Sequence, residues 1–125
     1  MVQLSMVGLM VREMATSLAF YRRLGMDIPA DADEKRFVQV RMESGVTIFW
    51  DTFWADQHDP TRTWPSGGYQ VMLEFFLADD AAVDAKYAEM TEIGYHGRMA
   101  PAKTSGPYAA MVDDPDGNVV LITSG

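Results

Sequence analysis

The chain opens on an apolar alternation from Leu4 to Val11, the period of a half-buried strand. After Glu13 the spacing changes. Met14, Leu18, Tyr21 and Leu24 recur at three and four residues, the stripe of an amphipathic helix, and Gly25 closes it. Two short runs follow, Phe37 to Met42 and Val46 to Thr52, parted by Glu43-Ser44-Gly45, which has the length and the glycine of a hairpin turn. The first half therefore reads βαββ at least. Tyr69 to Leu77 is a second opening strand, and Asp79-Asp80 offers an N-cap to a helix whose stripe is Val83, Tyr87, Met90 and Ile93, stopped by Gly94. Tyr108 to Asp113 and Asn118 to Thr123 flank Asp114-Pro115-Asp116-Gly117, whose residues suit a tight turn.

The second half repeats the first. A shift of 66 carries Ala15 to Ala81, Ala19 to Ala85 and Tyr21 to Tyr87, while the hairpin glycines Gly45 and Gly117 lie 72 apart. About six inserted residues thus separate the helix and hairpin registers, and a tandem duplication accounts for the order of elements. The stretch Phe53 to Gly68, rich in Asp, Pro, Thr and Trp, reads as the linker and a pocket wall, so the modules are expected at 1–66 and 67–125 within one compact domain.

Composition narrows the function classes. Ten Lys and Arg against 18 Asp and Glu leave a formal charge of −8, which repels a phosphate backbone and disfavours nucleic acid as a partner. No cysteine is present, so disulfide scaffolds and thiolate zinc sites are excluded. The longest mostly apolar stretch, Val71 to Ala78, is far below the ~20 residues of a membrane span. With no basic segment before an apolar run at the N-terminus, a cytoplasmic location is the expectation.

Val11-Arg12-Glu13-Met14 with Ser17-Leu18-Ala19-Phe20-Tyr21 and Leu24-Gly25 resembles the first-helix signature of the vicinal oxygen chelate superfamily, which includes glyoxalase I, extradiol dioxygenases and bleomycin-binding proteins. Asp114-Pro115-Asp116-Gly117-Asn118 resembles its final hairpin, and the likeness spans the chain, leaning toward drug-binding members of the mitomycin-resistance kind. The resemblance implies an α+β fold of two tandem βαβββ modules forming a curved mixed-sheet cleft, in an intertwined homodimer.

In the resembling enzymes each module offers a metal ligand from its first strand and another from its last, because a divalent cation needs converging N or O donors. Motif alignment puts those positions at Met6 and Leu121, and the two offsets add Met72 and Phe49. All four are apolar. A register shift would bring in Gln70, Glu74 or Asp51, while His58 and His96 lie outside the ligand-bearing strands and read as solvated loop side chains. No nucleophile elbow, P-loop or dinucleotide fingerprint is present, and Asp79-Asp80 and Asp113-Asp114 read as cap and turn residues. The expectation is no metal, no cofactor and no catalytic residue.

An apolar, polarizable cleft floor suits a flat organic ligand better than an ion. Met6, Phe49, Met72 and Leu121 would line it. Trp54, Trp64 and Tyr108 would stack on the ligand, and Glu74 and Asp51 would face a cationic group. Phe76, Leu77 and Trp50 are expected in the core instead. The leading reading is sequestration of a planar aromatic antibiotic of the mitomycin or bleomycin type. Its rivals are a divergent lyase or isomerase with an unusual metal on Glu74, Gln70 or Asp51, and a structural module whose cleft is filled by its own side chains.

Overall fold

Glu13 is extended, and the helical stripe after it folds as α1, Met14–Leu24, burying Met14, Ser17, Leu18, Phe20, Tyr21 and Leu24. Gly25, at φ 128°, turns the chain out of the helix while its N–H bonds back to the carbonyls of Tyr21 and Arg22. Arg22 then reaches forward from the last turn. It donates to the Ile28 carbonyl at 3.1 Å and pairs with Asp33 at 2.8 Å, which ties the 3-10 turn Ala30–Glu34 to the helix end. A computed structural model describes residues 2–65 and 68–124.

The remaining elements are β1, Val7–Met10; β2, Phe37–Arg41; β3, Thr47–Asp51; α2, Trp54–His58; β4, Gly68–Phe76; α3, Asp80–Glu92; β5, Gly97–Lys103; β6, Tyr108–Asp113; and β7, Asn118–Thr123. They form two compact units, Met1–Trp64 and Pro65–Gly125. Each unit holds one mixed sheet, ordered β1-β3-β2 in the first and β4-β7-β6-β5 in the second. Among the described residues, no helix is long and apolar enough to cross a membrane.

The strand registers carry the repeat inferred from the sequence. Phe37 pairs with Asp51 and Arg41 with Thr47, and in the second hairpin Ala109 pairs with Thr123 and Asp113 with Val119, every residue displaced by 72. The turns match bond for bond: Met42 N–H to Val46 O at 2.8 Å, then Asp114 N–H to Asn118 O at 2.9 Å. The parallel pairs Gly8↔Phe49 and Glu74↔Leu121 preserve the offset of 66 for the opening strands. Asp79 caps α3 as expected, accepting from the Ala82 N–H at 2.8 Å.

The modules are not equal in strands. The second is βαβββ, but the first has three strands among the described residues, βαββ followed by the short α2. Where the second module places β5, the first has Pro29 and the 3-10 turn, since the Ala-Asp alternation after a proline offers no apolar face to a sheet. β5 itself carries Pro101, a residue that sheets accept at edges and bulges, and its pairing with β6 shifts register between Met99 and Ala102. Strand β1 is shorter than its alternation, because β3 offers partners only from Ile48 to Asp51, and Leu4 stays exposed.

The cores follow alternation. Trp50, fully buried, meets the Tyr21 ring edge-on at 5.4 Å, so one face of the first sheet looks toward α1. In the second unit a Cβ at Gly97 would meet the Tyr87 hydroxyl of α3, which marks the helix side of the sheet. Val112 pairs with Gly97 and Val120 with Val112, and both are buried on that side beside Ile122. Phe76 departs from its expected place in the core and is 73% exposed, because alternation sends Phe75 toward α3 and Phe76 to the opposite face.

Candidate functional site

The face of the second sheet turned away from α3 holds most of the expected site residues of that module. Glu74, Leu121, Met111 and Met99 form one row in register across β4, β7, β6 and β5. Met72 and Val119 lie in the next row with Asp113. Met99, Met111 and Leu121 are half-buried and Met72 is exposed, while Val119 is fully buried, so the surface left for contact is mainly the thioethers and Leu121. Met72, Glu74 and Leu121 stand where the sequence pattern expects them, and Met99 and Met111 join them without having been expected. Alternation along β6 gives Met111, whereas Met99 was hidden with the rest of β5.

Two polar features border this surface. Thr123, fully buried, donates from Oγ1 to Glu74 Oε2 at 3.0 Å, which fixes the carboxylate beside Leu121. Arg98 makes two bonds to Asp113, 2.7 Å from Nε and 2.9 Å from Nη2, and its guanidinium lies 5.1 Å from the Tyr69 ring centre. Asp113 holds the Arg98 charge, raising its pKa further above the ordinary arginine value. Asp114 is the turn residue, accepting from the backbone N–H groups of Asp116 and Asn118, so the turn reading holds for Asp114 and fails for Asp113. His96 is solvated, 3.9 Å from Asp113.

Tyr108 belongs to the other side. It alternates with Ala110 and Val112, and its hydroxyl donates to Asp84 of α3 at 2.6 Å, a bond that raises its pKa. The structure therefore does not bring Tyr108 together with Met72, Glu74 and Leu121. Gln70 falls where the β4 register shifts, which removes the alternation that would have aimed it.

In the first unit the matching face carries aromatic rings. Phe49 stacks on Phe37 with centroids 5.4 Å apart and lies over Gly8, the counterpart of Glu74. Met6 is half-buried just before β1. Asp51 is buried, and its Oδ1 accepts the N–H groups of Phe53 and Trp54 at 2.7 Å each, so its role is to start α2. Helix α2 escaped sequence reading because five residues carry no stripe.

Trp54 is exposed and meets the His58 ring at 4.2 Å between centroids, which places His58 in α2 and not in a loop. Trp64 is half-buried against two guanidinium groups, Arg12 at 4.4 Å and Arg62 at 4.5 Å from its ring, with Arg62 paired to Asp56. Of these two tryptophans, Trp54 is the more exposed.

The donors do not fit a divalent cation. The four expected ligand positions present thioethers, a phenyl ring and an aliphatic side chain, none of them hard ligands. Among the described residues no group of three or more His, Cys, Asp or Glu side chains could hold a metal ion.

Residues 3–122 match the family model of the Glyoxalase/Bleomycin resistance protein/Dioxygenase superfamily. No curated protein matches the chain. Among solved structures, a hypothetical protein from S. aureus has a TM-score of 0.82 at 22% identity, over 100% of this chain and 95% of that one. A glyoxalase/bleomycin resistance protein/dioxygenase family enzyme from Burkholderia phytofirmans PsJN has a TM-score of 0.76 at 22% identity, covering 94% of each. A glyoxalase/dioxygenase from Nostoc punctiforme has a TM-score of 0.68 at 18% identity, over 96% of this chain and 88% of that one. At such identities the likeness is one of fold.

Proposed function

Since the chain belongs to the glyoxalase/bleomycin resistance protein/dioxygenase superfamily, we propose that it is a non-catalytic member that binds and sequesters a planar aromatic small molecule without a metal, in the manner of resistance to drugs of the mitomycin or bleomycin type. The observation that carries this reading is the chemistry of the strand positions. Where a metalloenzyme of this fold needs N or O donors, this chain has Met6, Phe49, Met72 and Leu121. Around two of them Met99 and Met111 extend a half-exposed apolar surface, and methionine adapts its shape to flat ligands of several outlines. Binding would come from burial of ring surface and from sulfur–aromatic contact, with no covalent step. The protein acts as a cytoplasmic homodimer in this proposal.

The test follows the methionine methyl signals of the chelator-treated protein by NMR while mitomycin, bleomycin and a panel of planar antibiotics are added. Tryptophan fluorescence is read in parallel in wild type and Trp54→Phe. Saturable shifts at Met72, Met99 and Met111 that survive chelation support the proposal. Silence at those methyls across the panel, or binding that returns only with added metal, defeats it.

A further inference from the structure

From the placement of Glu74 we infer that the ligand of the second module's methionine-lined face carries a positive charge beside its apolar body, an alkylammonium or amidinium group on an aromatic ring system, and that Glu74 is the residue that selects for it. This deepens the proposed function and rests on it.

Glu74 stands at the end of the row Glu74, Leu121, Met111, Met99, so a flat body lying along the row brings its end to the carboxylate. The carboxylate is placed, because buried Thr123 holds Oε2 at 3.0 Å. Among the described residues no Lys, Arg or His pairs with it, although the other carboxylate of this face, Asp113, takes two bonds from Arg98. Asp51, the second carboxylate expected to meet a cation, is consumed by two backbone N–H groups at the start of α2. The repeat supplies a comparison within the chain. The position matching Glu74 is Gly8, where the Phe49 ring lies against the backbone and leaves no room for a side chain, so of the two modules only the second carries a carboxylate at this position. A chain charge of −8 draws cations toward that surface as well.

The probes are three naphthalenes that share one ring system, 2-naphthylmethylammonium, 2-naphthylmethanol and 2-naphthoate, titrated into the full chain with the methionine methyls as reporters. In wild type the cation binds about two- to fivefold more tightly than the alcohol, the range of an exposed ion pair, and the anion more weakly than either. In Glu74→Gln, which keeps an acceptor for Thr123, the preference disappears while affinity for the alcohol is retained. Added salt erodes the preference in wild type and leaves the alcohol untouched. Equal binding of cation and alcohol in wild type, or a preference that persists in Glu74→Gln, overturns the inference and leaves aromatic binding standing. Failure of all three probes to shift Met72, Met99 or Met111 overturns the binding reading together with this one.

Discussion

The ring of Phe49 lies over Gly8, and a Cβ built at Gly8 would come 2.0 Å from the Phe49 Cζ. Glycine is required there by the ring, not by the backbone, since Gly8 has no positive φ.

Gly8→Ala is therefore expected to destabilise the first unit by about 1–3 kcal/mol, the usual cost of overpacking. In a Phe49→Ala background the same change costs close to nothing, because the clash has been removed. Denaturant unfolding of the two single variants and the double variant measures this coupling. Additive effects would mean that the ring is not the reason for the glycine.

A second prediction concerns Asp51, whose Oδ1 accepts from both Phe53 and Trp54. Asp51→Ala removes the acceptor that starts α2 and is expected to cost about 1–2 kcal/mol, with Asp51→Asn largely sparing stability. Hydrogen exchange at the Phe53 and Trp54 amides is the local readout, faster in the alanine variant and little changed in the asparagine one. Ligand affinity should not follow Asp51, which separates it from Glu74.

The Tyr108–Asp84 bond sets a pH dependence on the alkaline side. Hydrogen bonding to the Asp84 carboxylate, followed by desolvation, raises the Tyr108 pKa because both favour the neutral phenol. A group whose folded pKa is raised contributes stability that is present in full below its unfolded pKa, about 10 for tyrosine, and that fades as pH climbs through the folded value. The stability gap between wild type and Tyr108→Phe should accordingly close only in strong alkali. Phenolate absorbance should show Asp84→Asn returning this tyrosine toward the ordinary range, and an unchanged alkaline titration in that variant would contradict the assignment.

How much of this was legible in the sequence depended on whether a signal was local. The hairpins of residues 37–51 and 108–123 followed from alternation and turn glycines, and the offsets of 66 and 72 hold in the strand pairs themselves. Elements without such a signal are not readable from local pattern: α2 is one turn held by Asp51, and β5, implied only by the family resemblance, breaks its own alternation with Pro101 and register shifts. Site residues divided in the same way. Met72, Glu74 and Leu121 share a face because they obey a period of two, whereas the ring of Tyr108 suggests stacking but its strand partners send it to α3. Trp54 and Trp64 looked alike in a polar stretch, yet only tertiary contacts reveal that Arg12 and Arg62 lie against Trp64. The charge partners that leave Glu74 open and engage Asp113 are likewise beyond any sequence pattern.

Strand β5 has one more consequence. It ends the four-stranded sheet, and Pro101 with the two register shifts leaves no unbroken row of N–H groups along that border. A free strand arriving there cannot zip on, so this edge resists the chain-to-chain β-pairing from which fibrils and runaway polymers grow. The irregularity that hides β5 from its own sequence is also what keeps the sheet from being extended at this border.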